Sequence, residues 1–305
     1  MKDKKKNKIK ESPQRRAFIV INYIILIAAA FLCLFPFVNL LATSFSSKLA
    51  VVGGHVTFWP VDFTTSAYEF IMKNSAFWKS LLVAIERTLL GVTVNVVLIV
   101  LTAYPLSKSS REFAGRTFYS WFFVITMLFN AGLIPTYLMV KNTGLIDSIW
   151  ALILPGALPV YSMLVVMNYM RSLPKELEEA AYIDGAGFVQ SLVRIVLPVS
   201  KPTLATVTLF SFVNHWNSWF DGMIYMNSVE KYPLQSYLQT VVINPEVFFR
   251  NTTNRGSDLA IYMELVNAKT SNAAQLFLAT IPILCVYPFL QKYFTTGLVM
   301  GSVKG

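Results

Sequence analysis

Six stretches of twenty or more predominantly apolar residues recur along this chain of 305 residues, and they limit its fold more than any other feature. They lie near Ile19–Ser44, Leu81–Leu106, Phe118–Val140, Ile149–Met170, Thr203–Met226 and Ala273–Tyr293. A bilayer crossing needs about 20 such residues. Only a helix satisfies its backbone hydrogen bonds within one crossing segment. The expected fold class is therefore all-α and integral to a membrane, with six transmembrane helices. Composition agrees: 55% of residues are hydrophobic, 14% are charged and mean hydropathy is +0.53. A soluble domain is about a quarter charged. The first stretch is too long for a cleavable leader and no small-residue cleavage site ends it, so it reads as an anchor. Pro36, Pro105, Pro155, Pro159, Pro282 and Pro288 lie in or near these spans. Kinks there suit a moving pathway and suit plain bundle packing equally well.

Orientation follows from the basic residues. Eight lysines and arginines precede Phe18, against Asp3 and Glu11. Lys108, Arg111 and Arg116 occupy the second connection, and Arg171, Lys175, Arg194 and Lys201 the fourth. Lys292 and Lys304 close the chain. Basic flanks stay inside, which places both termini and these two connections in the cytoplasm. The formal charge of +10 is accounted for in this way, without nucleic acid. Residues 1–17 read as a basic tail touching anionic lipid, 18–294 as one six-span domain and 295–305 as a cytoplasmic tail. The long connections 46–80 and 227–272 fall outside. Both carry enough aromatics for short surface helices, as membrane-interface anchors or as docking surfaces.

The connection 172–201 is charged and punctuated by glycine, and reads as two helices around a turn. Pro174 to Ile183 is expected to be helical, with Pro174 at its first position and Glu176, Glu178 and Glu179 at the positive end of its dipole. Asp184-Gly185 permits a left-handed turn. Phe188, Leu192 and Ile195, flanked by Val189, Val193 and Val196, give the second helix an apolar stripe that Pro198 is expected to stop. An amphipathic connector lying on lipid is the plain alternative, but carboxylates gain nothing from an anionic surface.

Within that connection stand Glu179-Ala180-Ala181, Gly185, Ile195, Leu197 and Pro198, at the spacing EAA, three residues, Gly, nine residues, Ile-x-Leu-Pro. This resembles the EAA loop of ABC importer permeases. Leu173-Pro174, Asp184-Gly185-Ala186 and Pro202 are similar to the MalG-like carbohydrate-uptake branch, and the resemblance runs from Tyr23 to the C-terminus. It implies a type I ABC importer permease fold with a cytoplasmic coupling-helix loop. The implied partners are a second related permease, two ATPase subunits and an extracytoplasmic solute-binding protein. Glu179, Ala180, Ala181, Asp184, Gly185, Ala186 and Pro198 become the ATPase-coupling residues. Glu179 would pair with a basic residue, or serve only as helix-end charge. The tail Thr295–Gly305, with three glycines and no expected helix, would reach between the ATPase subunits.

No GxxxxGK[ST] loop or dinucleotide fingerprint occurs, so no cofactor is expected in this chain and ATP with magnesium is left to the partner subunits. No catalytic set stands out. His55 and His215 are too few for a metal site, and Cys33 and Cys285 read as buried apolar side chains. The candidate pathway is the run Asn214-His215-Trp216-Asn217-Ser218-Trp219-Phe220-Asp221 in the fifth span. Asn214, Asn217, Ser218 and Asp221 fall at helical spacing, with Trp216 and Trp219 beside them. Amides and indoles suit a saccharide, and the same run suits an outer-interface anchor. Asn95, Asn130, Tyr137 and Asn168 are further lining candidates, and Glu86-Arg87 reads as an internal or interfacial ion pair. The function expected is ATP-driven import of a carbohydrate, an oligosaccharide first; a polyol or glycerol phosphate is the alternative. An ion-coupled transporter would need carboxylates in the central thirds of the spans, and they are lacking.

Overall fold

The computed structural model describes residues 12–243 and 267–302, and they are helical with short connections. By internal contacts the chain divides into two compact units: Met1–Lys73 with Thr253–Leu278, and Asn74–Thr252 with Ala279–Gly305.

In the first unit, α1 spans Pro13–Ser44. Ser12 caps it by accepting from the Arg15 amide, and Pro13 suits the first turn, where its missing N–H costs nothing. The helix thus begins inside the expected tail 1–17, whose first eleven residues lie outside the described set. Nearly all the apolar surface of α1 from Phe18 to Val38 is exposed, so the helix is hydrophobic all round, as suits contact with lipid. Two short helices follow, α2 over Lys48–Val52 and α3 over Ser66–Lys73. The Phe45 ring stacks on Phe63 and Tyr68, at 5.3 and 4.6 Å, and the Tyr68 hydroxyl meets Ser44 Oγ at 2.8 Å. The short helices expected in this connection are present.

The second unit is organised on α4, Ser75–Ser107, against which α7 (Val160–Arg171) and α11 (Lys201–Asn217) pack. Ile99, Ala103, Leu106, Met163, Val166, Met167 and Val207 form the buried cluster between them. Apolar burial drives little helix association in lipid, so close fit must supply it. Gly91 gives that fit: a Cβ there would lie 2.5 Å from the His215 ring. The unit also holds α5 (Arg116–Leu128), α6 (Leu133–Asn142), α8 (Glu176–Ile183), α9 (Phe188–Ser191), α10 (Leu197–Val199), α12 (Phe220–Tyr225) and α13 (Leu234–Ile243).

The expected spans are not all single helices. Among the described residues α1 and α4 are long and apolar enough to cross unbroken, and three bent pairs raise the number to five. The stretch expected as Phe118–Val140 is α5 and α6, bent by 116°. Asn130 Oδ1 accepts from the Gly132 amide at 2.8 Å and Gly132 takes φ +85°, a local turn that replaces helical hydrogen bonds. The fourth opens as 3-10 turns at Ile149–Leu152 and Leu154–Gly156 before α7, because Pro155 and Pro159 cannot donate. The fifth breaks at Ser218, where ψ is 124°. The sixth falls within one helix, α14, Ala268–Ser302. That helix corrects the expectation for the tail: Thr295 to Ser302 continue it, since propagation from an existing helix needs no new nucleus. Val303–Gly305 lie outside the described residues.

Candidate functional site: a helical loop and a broken span

The loop 172–201 is a helix, a left-handed turn and a second helix. α8 begins at Glu176, two residues later than expected, with Glu176, Glu178 and Glu179 in its first turn. It ends where Gly185 takes φ +82°, and the Ala186 amide reaches back to the Ala181 carbonyl at 2.9 Å. A residue with a Cβ is strained at that φ, so the glycine is required by geometry. Glu179, Ala180, Asp184 and Gly185 are exposed and Ala186 is half-buried. Ala181 is turned inward, 7% exposed, so its smallness serves packing within this chain.

Pro198 does not stop the second helix. The Leu192–Val196 segment winds as a π turn, the Leu197 amide bonding to the Leu192 carbonyl, and α10 continues through Pro198 to Val199. Widening the turn accommodates the proline, which has no N–H for an α-helical bond and would crowd the carbonyl four residues back. An 81° bend then leads into α11. The apolar stripe also divides differently from expectation. Leu192 and Val196 are buried against α4 and α7 in the central cluster, whereas Phe188, Val189 and Val193 are exposed, with Ile183 at 86%.

A buried lysine ties the loop to α4. Lys108, 7% exposed, pairs with Glu178 and lies 4.1 Å from the Tyr104 ring centroid. The Tyr104 hydroxyl donates to the Phe188 carbonyl at 3.3 Å. A cleft of about 460 Å³ opens beside this pair, lined by Lys108, Glu112, Lys175, Glu178, Glu179 and Tyr182. Hydrogen bonds from the Ser109 hydroxyl and amide hold the Glu112 carboxyl below its usual range, and burial pushes the Tyr182 phenol up. By sequence alone Lys108 is only an orientation signal and Glu178 only helix-end charge. Their separation of 70 residues hides the pairing.

The candidate pathway run lies across the break between α11 and α12. Asn214 and Asn217 are exposed with Phe210 on one face of α11, while Ser211 and His215 face inward. Trp216 is a correction: it is 2% exposed, donates Nε1 to the Ala279 carbonyl at 3.1 Å, and stacks on Phe212. It packs α11 and lines no route. Trp219 is 41% exposed, edge-on to Phe220. Ser218 and Asp221 do not continue the face of Asn214 and Asn217, because the helix has ended.

Asp221 is engaged from within. Arg87 on α4, 2% exposed, pairs with both its carboxylate oxygens and also donates to the Ser218 carbonyl at 3.2 Å. Asp221 Oδ1 further accepts from Ser218 Oγ at 2.8 Å. The partner of Arg87 is thus Asp221, and the reading of Glu86-Arg87 as an ion pair is replaced. Asn95 is likewise internal. With its amide turned so that donors meet acceptors, it donates to the Gly91 and Ala157 carbonyls, both at 3.1 Å, and accepts from Ser211 Oγ at 2.9 Å and His215 Nε2 at 3.3 Å. Asn130 lies in the turn between α5 and α6, the Tyr137 ring stacks on Tyr225, and Asn168 is exposed.

Residues 18–220 match the family described as binding-protein-dependent transport system inner membrane component. The chain belongs to that family. It is similar to the polygalacturonan/rhamnogalacturonan transport system permease protein YtcP of Bacillus subtilis (strain 168), 38% identical over 96% of this chain and all of that one. It is also similar to the maltodextrin transport system permease protein MdxG of the same organism, 28% identical over 81% of each chain. Among solved structures, a chain of a bacterial ABC transporter involved in the import of the acidic polysaccharide alginate superposes with a TM-score of 0.84. It is 32% identical and is matched over 94% of this chain and all of that chain. The ABC importer permease fold expected from sequence is therefore present. In this permease the loop 172–201 is bound to the spans by the Lys108–Glu178 pair and by Leu192 and Val196, besides its covalent link to α11.

Proposed function

We propose that this permease carries an oligosaccharide across the cell membrane in an ATP-driven importer, working with a second permease, two ATPase subunits and a solute-binding protein. Similarity to YtcP over the whole of both chains supports this reading most directly. The polygalacturonan and rhamnogalacturonan of that protein's name, like alginate, are acidic polysaccharides, so a uronate-containing oligosaccharide is the first candidate. The loop 172–201 is the ATPase-coupling element and faces the cytoplasm with both termini. Ile183, Phe188, Val189 and Val193 give it an apolar surface in a charged setting, the composition expected where another protein docks. Glu179 supplies an exposed carboxylate for a basic partner. The exposed amides of Asn214 and Asn217, with Trp219, form this chain's part of the saccharide route.

The test is uptake by the reconstituted importer with labelled oligogalacturonate, maltodextrin, a polyol and glycerol phosphate. Oligogalacturonate is expected to be carried in preference. Asn214→Ala or Asn217→Ala should lower its uptake two- to tenfold, the worth of one lost hydrogen bond, without loss of assembly. Normal uptake by both variants and by Trp219→Ala would move the route elsewhere. Preference for glycerol phosphate or the polyol would overturn the saccharide reading.

A further inference from the structure

Two arginines without a carboxylate partner share the mouth of a groove on the outside of the second unit. Arg116 opens α5 and Arg171 closes α7, and between these helices lies a groove of about 270 Å³. Its walls are Trp121, Val124, Leu164 and Met167. Neither arginine forms an ion pair among the described residues; Arg171 donates only to the Leu106 carbonyl, at 3.2 Å, and to Met167 Sδ. Both side chains line the same groove. The same two arginines also line the cleft of Glu112 and Glu178, yet neither is in ion-pair contact with a carboxylate, unlike the buried cations Arg87 and Lys108, which are paired with Asp221 and Glu178. The α5 N-terminus beside the two arginines has no side-chain cap, Gly115 standing at that position, which adds partial positive charge.

The surroundings decide what anion fits. Both guanidiniums stand at the ends of apolar helices that the family places in a membrane. The groove below them is mainly apolar, with Thr117 and Ser120 its polar lining besides the arginines, and Trp121 is 62% exposed. Cations at a polar mouth over an apolar channel match a phosphate headgroup with an acyl chain beneath it. A soluble phosphate would use the mouth and leave the apolar walls uncovered.

We propose that Arg116 and Arg171 form a binding site for an anionic phospholipid, its phosphate held by the two guanidiniums and its acyl chain lying along Trp121, Val124, Leu164 and Met167. The proposal rests on the permease reading only in requiring that α5 and α7 be in the bilayer; it is independent of the solute carried.

The assembled importer is placed in nanodiscs containing equal amounts of photo-reactive phosphatidylglycerol and photo-reactive phosphatidylcholine, distinguishable by mass. The wild-type protein should be labelled between residues 116 and 124 chiefly by phosphatidylglycerol. Arg116→Gln/Arg171→Gln should reduce that labelling about thirtyfold, from roughly the worth of two basic residues at a lipid surface, while Arg116→Lys/Arg171→Lys keeps most of it. Excess inorganic phosphate should not displace the label. Equal labelling of the wild-type groove by both lipids would overturn the proposal, and so would displacement by phosphate. Near-complete disulfide crosslinking of Val124→Cys to the second permease, with no lipid label, would assign the groove to a protein interface instead. Labelling is read without transport, so a mistaken solute assignment leaves the result unchanged, whereas absence of lipid label anywhere on α1 and α4 would count against the membrane reading itself.

Discussion

The loop 172–201 and the break at Asn214–Asp221 are both interruptions at the ends of apolar helices, yet opposite forces hold them. The loop takes its turn from local rules, acidic residues at a helix start and a glycine at φ +82°, and is then tied to the spans by Lys108–Glu178 and by the packing of Leu192 and Val196 around the π turn. It leaves apolar side chains exposed, Ile183 and Val189 most of all. The break keeps its shape through a buried polar network from a distant helix, with Arg87 gripping Asp221 and the Ser218 carbonyl. The first interruption leaves apolar side chains unfinished on its surface, as a docking element would. An interruption meant to stay put is finished from inside.

Removing the inner grip should therefore produce the largest effect. Arg87→Met leaves the part-buried Asp221 with neutral hydrogen bonds alone and no countercharge, and breaking a buried pair from one side costs about 3–5 kcal/mol. The solubilised importer is expected to melt at a much lower temperature and to lose α12 packing. Arg87→Met/Asp221→Leu should recover most of the loss, because it removes both charges and their desolvation cost. If the single substitution leaves thermal stability unchanged, the network does not hold the break, and the contrast with the loop disappears.

The same contrast explains what the sequence made legible. Helix positions, the charged start of α8 and the turn at Gly185 follow from residues within a few positions of one another. The π turn escaped because Pro198 reads as a stop by local rules, whereas packing of Leu192 and Val196 on α4 and α7 holds the helix together beyond it. Trp216 and Asn95 were read as lining because polar or amphipathic groups in a span are usually functional. Here both meet their partners inside the unit, at Ala279 and at Gly91, Ala157, Ser211 and His215. Arg87–Asp221, 134 residues apart, and Lys108–Glu178, 70 apart, leave no local trace at all. The bends within the third and fourth spans and the break in the fifth are likewise hidden by continuous hydropathy.

A smaller effect on stability, but a sharp one on coupling, is expected at Gly185. Alanine at φ +82° costs about 1–2 kcal/mol from the clash of Cβ with the following carbonyl. Nothing lies within 4 Å of the added methyl, so strain in the turn is the only penalty. Gly185→Pro, which cannot take a positive φ at all, should reset the angle between α8 and α9. The six apolar stretches should still insert, while ATPase association or ATP-dependent uptake is lost. A well-expressed Gly185→Pro permease with full uptake would show that the loop works without its turn, and would make it no more than a connector.

The smallest effect sharpens the comparison from outside. Lys231 and Asp147 also join two connections of the second unit, but the lysine side chain is about half exposed, at 51%, and the pair faces solvent. Hydrogen bonding from Lys231, then from the Asn227 amide, holds the Asp147 carboxyl below its ordinary value of 3.8. A carboxyl lowered in the folded state contributes stability that is complete above its unfolded value and is lost as pH falls through the folded one. No change is therefore expected between pH 7 and 5, and a slight loss below 3.8. Exposed pairs are weak because water and salt screen them. Asp147→Asn should thus shift the melting temperature at pH 7 by far less than Arg87→Met, and the shift should shrink further in high salt. A shift as large as that of Arg87→Met, or one insensitive to salt, would mean that burial does not separate the two pairs. The distinction between a break finished from inside and a contact left to solvent would then fail.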